Sequence, residues 1–215
     1  MSFLATIDET AAQGRVAEQY EEERSAKGYV PNYVQMLSLR PDVYDAWGGL
    51  ISTIKGNMDL RRYELVTFAA ARELRSSYCM LAHGKVLLDK FLDEAALRDL
   101  AVQPPLDQTE RAVMELAAKV ARDATSVTET DLDPLRRIGL TDAEILDIVL
   151  AASARAFFTK VADATGTRPD VEYRSLLGEE MVDLLAVGRP IENLPVENLA
   201  IESSPVEDLA IEDQA

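Results

Sequence analysis

Apolar residues recur at three- and four-residue spacings along most of the chain, a pattern typical of amphipathic helices. After Pro41, which suits the first turn of a helix, Trp47, Leu50 and Ile54 follow this spacing until Gly56. No run of alternating apolar and polar residues is long enough for a useful strand. The pattern predicts an all-α protein of about eight to ten helices.

Polar residues at the helix starts define where several of these elements begin. Asp59 is a good N-cap for one long helix over residues 60–90. Asp107 and Thr141 each open a capping-box pattern ahead of an apolar helix. A last ordered helix is predicted over residues 171–187.

The two long helical segments resemble each other at an offset of 80 residues, which aligns Glu64 with Glu144 and Cys79 with Thr159. A degenerate duplication of two helical halves would explain the match, with one half keeping the reactive groups. Chance similarity between two Ala-rich amphipathic helices would explain it equally well.

The sequence changes character near its C-terminus. Residues 190–215 contain seven acidic side chains and no Lys or Arg, and residues 195–204 recur at 205–214 with seven of the ten residues identical. Frequent prolines oppose a long helix and the charge opposes collapse. We therefore divide the chain into a helical domain over residues 1–188 and a flexible acidic tail with ten-residue repeats over residues 189–215.

Composition narrows the classes of partner and compartment. The 215 residues are 47% hydrophobic and carry a formal net charge of −16, which argues against nucleic acid and anionic membranes. No stretch approaches the roughly 18–20 apolar residues of a membrane span, and residues 1–13 lack the features of a secretory signal. A single cysteine excludes an intramolecular disulfide. We expect a cytoplasmic protein.

The segment from Arg75 to His83 contains the only cysteine and the only histidine of the chain. If Ser76 caps a helix, Cys79 lies at its third position, where free N–H groups and the helix dipole favour the reactive thiolate. His83 lies one turn further on the same face, and Tyr78 stands beside the cysteine. The alternative interpretation is a buried cysteine and a structural histidine.

Glu64 is the natural third group, provided that the chain folds back. In one unbroken helix it would lie about 22 Å from Cys79. The site therefore requires a helix break near residues 75–77 or a contact from a neighbouring subunit. Otherwise Glu64 is a first-turn carboxylate that complements the helix dipole.

Glu64 followed by Ser76-x-x-Cys79-x-x-x-His83 resembles the motif of the carboxymuconolactone decarboxylase superfamily, in its alkylhydroperoxidase-D-like, peroxidase-related branch. The resemblance covers roughly residues 15–187 and implies a helical bundle and a homo-oligomer. The family motif has a cysteine where this chain has Ser76, so an intramolecular dithiol cycle is excluded.

The leading hypothesis is a one-cysteine peroxidase. Cys79 would attack a hydroperoxide, Glu64 and His83 would relay protons, Ser76 and Tyr78 would support the site, and an external thiol would restore Cys79. The second hypothesis is a decarboxylase or isomerase in which Glu64 and His83 perform acid–base chemistry while Cys79 only packs. Arg61, Arg62 or Arg75 would then bind a substrate carboxylate. We expect no cofactor, and a single His and Cys fall short of a metal site.

A third hypothesis concerns the tail, whose repeats resemble the short C-terminal peptides that load cargo enzymes into encapsulin nanocompartments. Leu199 with Ile201, and Leu209 with Ile211, alternate as an extended peptide in an apolar groove requires. The protein would then lie inside an encapsulin shell, with weak or lost redox activity or with a peroxidase activity. The alternative is a solubilising acidic tail.

Overall fold

The computed structural model describes residues 2–103 and 107–191, and within these ranges the chain is all-α, without a strand. This confirms the predicted fold class. The α-helices of the described residues are α1 (Gly14–Lys27), α2 (Asn32–Leu37), α3 (Pro41–Gly56), α4 (Leu60–Glu73), α5 (Ser77–Lys90), α6 (Glu94–Val102), α7 (Gln108–Asp123), α8 (Glu129–Arg137), α9 (Asp142–Ala164), α10 (Tyr173–Leu177) and α11 (Glu179–Leu185). None of them is long and apolar enough to cross a membrane.

Helix α4 is the centre of the fold, because α5, α7 and α9 all pack against it. Every residue from Tyr63 to Ala71 is buried, including Glu64 and Thr67. The run of alanines over residues 69–71 lets neighbouring helices approach closely. The core therefore surrounds this one helix.

The predicted single helix over residues 60–90 is wrong, since the chain forms α4 and α5 with a sharp break between them. Arg75 adopts φ of 55°, in the left-handed region that residues with a side chain rarely enter. The amide of Ser76 donates to the carbonyl of Ala71 at 2.9 Å, which closes the end of α4. The break lies where the site hypothesis required one.

The last predicted helix, over residues 171–187, is also divided. Gly178 has φ of 78° and separates α10 from α11. These two divisions explain why the described residues contain more helices than expected. The predicted helix starts are confirmed: Asp59 and Asp107 accept N-cap hydrogen bonds, and Thr141 with Glu144 forms a complete capping box.

The duplication stays a prediction. Helix α9 runs unbroken, whereas the α4–α5 segment aligned with it contains the break. The repeats of the tail, with Leu199, Ile201, Leu209 and Ile211, lie outside the described residues.

Candidate functional site

The fold brings Glu64, Cys79 and His83 to one cavity of about 380 Å³ between helices α3, α4, α5 and α9. Aromatic and aliphatic side chains form most of its wall. They are Tyr33, Trp47, Ile51, Tyr63, Tyr78, Ala82, Val86, Phe158 and Tyr173. Three cationic side chains complete the lining, namely Lys27, Lys55 and Arg155. A volume of this size accommodates a small organic molecule.

Glu64 and His83 are directly paired across the α4–α5 turn. Oε2 of Glu64 lies 2.6 Å from Nδ1 of His83, and Nζ of Lys55 lies 3.5 Å from the other carboxylate oxygen. Glu64 is 1% exposed and the His83 side chain 12%, so the histidine is the more open of the two.

The electrostatic surroundings favour an ionised Glu64 and a neutral His83. Burial alone would raise the pKa of Glu64, but the hydrogen bond and charge of His83, with Lys55 and Arg155, hold it below its usual range. Burial lowers the pKa of His83, and the charge of Arg155 lowers it further, against the opposing effect of Glu64. Because a carboxylate can only accept, Nδ1 carries the ring proton and Nε2 is the basic atom.

Cys79 is buried at the third position of α5 and faces α9. Its Sγ lies 3.4 Å from Oγ1 of Thr159 and 3.6 Å from Nη1 of Arg155. The partner Thr159 is the residue that the offset of 80 aligned with Cys79. The thiol therefore has a polar and cationic environment on one side and the cavity on the other.

Ser76 occupies the predicted N-cap position of α5, but its hydroxyl forms no cap hydrogen bond. Its buried Oγ has no hydrogen-bond partner among the described residues. Ser76 therefore lies at the expected N-cap position without the cap hydrogen bond, and its support of the Cys79 thiolate stays a prediction. Ser76 contributes to the turn between α4 and α5 through its backbone amide, which donates to the carbonyl of Ala71.

Tyr78 lines the cavity and also anchors the start of α5. Its hydroxyl donates to Oδ2 of the buried Asp170 at 2.5 Å, and Oδ1 of that carboxylate accepts the amide of Asn32 at 2.7 Å. The hydroxyl of Tyr78 is thus already engaged by Asp170.

Arg61, Arg62 and Arg75 were sequence candidates for binding a substrate carboxylate, and none of them lines the cavity. Arg61 pairs with Glu110 at 2.6 Å and Arg62 with Glu144 at 3.1 Å. The guanidinium of Arg75 lies 3.4 Å from the carbonyl of Val187. The first two arginines tie helices together, and the third ties the α4–α5 turn to the segment after α11.

Arg155 and Lys55 are charged cavity residues that sequence reasoning missed, and Arg155 is the more buried of the two. Arg155 lies on the buried face of α9, between Ala151 and Phe158. The signal available in the sequence was an arginine at a position that the helical periodicity assigns to the apolar, buried face of α9.

Comparison with known proteins identifies the fold. An uncharacterized peroxidase-related protein with an alkylhydroperoxidase AhpD core, from Ralstonia eutropha JMP134, is 24% identical with a TM-score of 0.72, over 80% of this chain and 94% of that chain. A peroxidase-related protein from Silicibacter sp. TM1040 is 21% identical with a TM-score of 0.68, and the match covers 80% of this chain and 90% of that chain.

A debrominase is 14% identical with a TM-score of 0.67, and the match covers 83% of this chain and 97% of that chain. That structure was solved for a cysteine-to-alanine variant in complex with 2,3,4-tribromopyrrole. No protein-family model and no curated protein matches the chain. The chain therefore has the AhpD-like fold that the motif predicted.

Proposed function

We propose that this protein is a thiol-dependent peroxidase that reduces organic hydroperoxides through Cys79. The observation that carries the proposal is the convergence of Cys79 with the Glu64–His83 pair on one cavity. A nucleophile, a neutral base and an ionised carboxylate orienting that base are the groups such chemistry needs. The fold of peroxidase-related proteins supports the same function.

In the first step the Cys79 thiolate attacks the terminal oxygen of the hydroperoxide. The S–O bond forms as the O–O bond breaks, sulfur is oxidised to a sulfenic acid, and the leaving alkoxide takes a proton to become an alcohol. Nε2 of His83 accepts the thiol proton beforehand and returns it to the leaving oxygen. Glu64 holds the ring in the required tautomer through Nδ1.

Restoration of the thiol requires an external reductant, because Cys79 is the only cysteine of the chain. One external thiol displaces water from the sulfenic acid and forms a mixed disulfide. A second external thiol attacks that disulfide, which releases Cys79 and an external disulfide. The reductant is thus a small thiol or a partner cysteine that reaches the cavity.

An acid–base lyase or isomerase is a second candidate, supported by the ionised Glu64 and neutral His83. In that case Nε2 of His83 abstracts a substrate proton and Cys79 only packs. Substitution of Cys79 by serine separates the two candidates, since it abolishes peroxidase turnover but leaves acid–base turnover.

The test exposes the reduced protein to hydrogen peroxide, an alkyl and an aromatic hydroperoxide, and traps the Cys79 sulfenate with a dicarbonyl reagent for mass spectrometry. We expect oxidation much faster than that of a free thiol, and slower in His83→Asn. The exposed Asp183→Asn, on α11 and away from the cavity, is the matched control and should react as the wild type. Oxidation of wild-type Cys79 no faster than glutathione would exclude the peroxidase function.

A further inference from the structure

Arg155 is a buried cation without a carboxylate partner. It is 7% exposed, and no carboxylate of residues 2–103 or 107–191 forms an ion pair with it. Its Nε has no hydrogen-bond partner among these residues, and its Cζ lies 5.4 Å from the centre of the Phe158 ring. Its Nη1 is directed at Sγ of Cys79, at 3.6 Å.

A buried charge of this kind requires a compensating anion. Tyr63 lies close enough to contribute, but burial raises the pKa of its phenol, so Tyr63 stays neutral at physiological pH. Within the described part of the chain, the other ionisable group that hydrogen-bonds the guanidinium is the thiol of Cys79. Ionisation of that thiol would give Arg155 its missing partner.

We infer that Arg155 is the counter-ion of the Cys79 thiolate and a further catalytic residue of this site. The inference rests on the proposed function in one respect, that Cys79 is the nucleophile. In the usual cysteine–histidine arrangement the imidazolium neutralises the thiolate. Here a permanent cation does so, and the thiolate therefore keeps a counter-ion whether Nε2 of His83 still holds the thiol proton or has passed it to the leaving oxygen.

The other charged groups around Cys79 are consistent with this assignment. From α4 comes Glu64, whose carboxylate is already engaged by His83 on α5 and by Lys55 on α3. From α10 comes the phenol of Tyr173, whose pKa is also raised by burial. The charge of Arg155 on α9 also lowers the pKa of Glu64, but the guanidinium itself is directed at the sulfur of Cys79, at 3.6 Å.

The single cysteine makes the test direct, because a titration that follows the rate of alkylation by iodoacetamide against pH then reports only the Cys79 thiolate. We expect Arg155→Gln to raise the midpoint of that titration by about 1–3 pH units, the effect of losing a cation within a few ångströms. Arg155→Lys keeps the charge and should lie between the wild type and Arg155→Gln. His83→Asn should move the midpoint less than Arg155→Gln.

Arg72→Gln is the matched control, since Arg72 is a partly buried arginine of α4 that donates to the carbonyl of Leu100 and lies outside the cavity. It should leave the thiolate titration unchanged. An unchanged midpoint in folded Arg155→Gln, or a larger shift in His83→Asn than in either Arg155 variant, would overturn the inference. The titration contains no peroxide, so its outcome is independent of whether Cys79 reduces hydroperoxides.

Discussion

Asp170 offers a quantitative test of the electrostatics beside the site. Its carboxyl is 3% exposed and accepts two hydrogen bonds, from the amide of Asn32 and from the hydroxyl of Tyr78. It therefore joins α2 and α5 immediately before Cys79. Substitution by asparagine keeps the size of the side chain, removes the charge and replaces one of the two accepting oxygens by an NH2 group.

Burial raises the pKa of Asp170 from 3.8 to about 6, against the smaller opposing effects of the hydrogen bonds from Asn32 and Tyr78. The difference is about two pH units at about 1.4 kcal/mol each, or about 3 kcal/mol. Because the folded protein binds this proton more tightly than the unfolded chain, stability from this group is complete below pH 3.8. It is lost as the pH rises towards and through 6. The Asp170→Asn variant, which has no carboxyl group at this position, does not lose this contribution to the free energy of unfolding as the pH rises.

The assay is urea-induced unfolding of wild type and Asp170→Asn at several pH values between about 4 and 7. We expect the difference in unfolding free energy to change by about 3 kcal/mol in favour of the variant across this range. Any loss of hydrogen-bond strength in the variant adds a constant at all pH values. Asp183→Asn controls for the removal of a surface charge. A difference between Asp170→Asn and wild type that does not vary with pH would refute the reasoning.

Three further predictions concern the pair, the surface and the tail. In Glu64→Gln the pKa of His83 should fall further, because burial and the charge of Arg155 then act without the opposing carboxylate. A proton NMR titration of the single histidine measures this pKa. Peroxide reduction, followed by stopped-flow oxidation, should slow by about 10²–10⁴-fold. Leu150 is 42% exposed on α9 in a row of apolar side chains, so the predicted homo-oligomer should dissociate in Leu150→Glu. Light scattering measures the oligomeric state, and a monomeric wild type would contradict the predicted homo-oligomer. Truncation after Arg189 should abolish capture by an encapsulin shell without changing peroxide reduction, if the tail is a targeting peptide; unchanged capture would leave the tail as a solubilising segment.

The helix starts were predictable because their signals are local. Asp59, Asp107 and Thr141 each satisfy a free amide at a helix N-terminus, a role that depends on a few neighbouring residues only. The break at Arg75 was harder to predict, since no glycine or proline precedes it and a non-glycine residue takes the left-handed conformation. Only the need to bring Glu64 to the cysteine indicated it.

The residues of the site also differ in how far the sequence alone predicts them. Cys79 and His83 were predictable because they share one helix face at a spacing of four residues. Arg155 follows Cys79 by 76 residues, and its contact with the sulfur depends on how α9 packs against α4 and α5. Periodicity identifies a buried position on α9, but it does not identify which side chain that position faces.

Ser76 allows a last prediction, on the relation of this chain to the two-cysteine motif it resembles. The residue is fully buried, and its hydroxyl has no partner within the described part of the chain, so a thiol should be tolerated at this position without loss of stability. The backbone at Ser76 is extended, outside the helix that begins at Ser77, which leaves its Cβ free of the helical spacing to Cys79. We expect Ser76→Cys to convert the peroxide-generated sulfenate into an intramolecular disulfide.

Thiol titration and mass spectrometry after one equivalent of hydroperoxide measure that conversion. The variant should lose both thiols and release water, whereas the wild type should hold the sulfenate until an external thiol reacts. Ser77→Cys places a thiol one residue further along, inside the helix, and serves as the positional control. A Ser76→Cys protein that keeps one free thiol after oxidation would show that the turn at Arg75 and Ser76 holds position 76 away from Cys79. The departure from the family motif would then lie in the backbone as well as in the side chain.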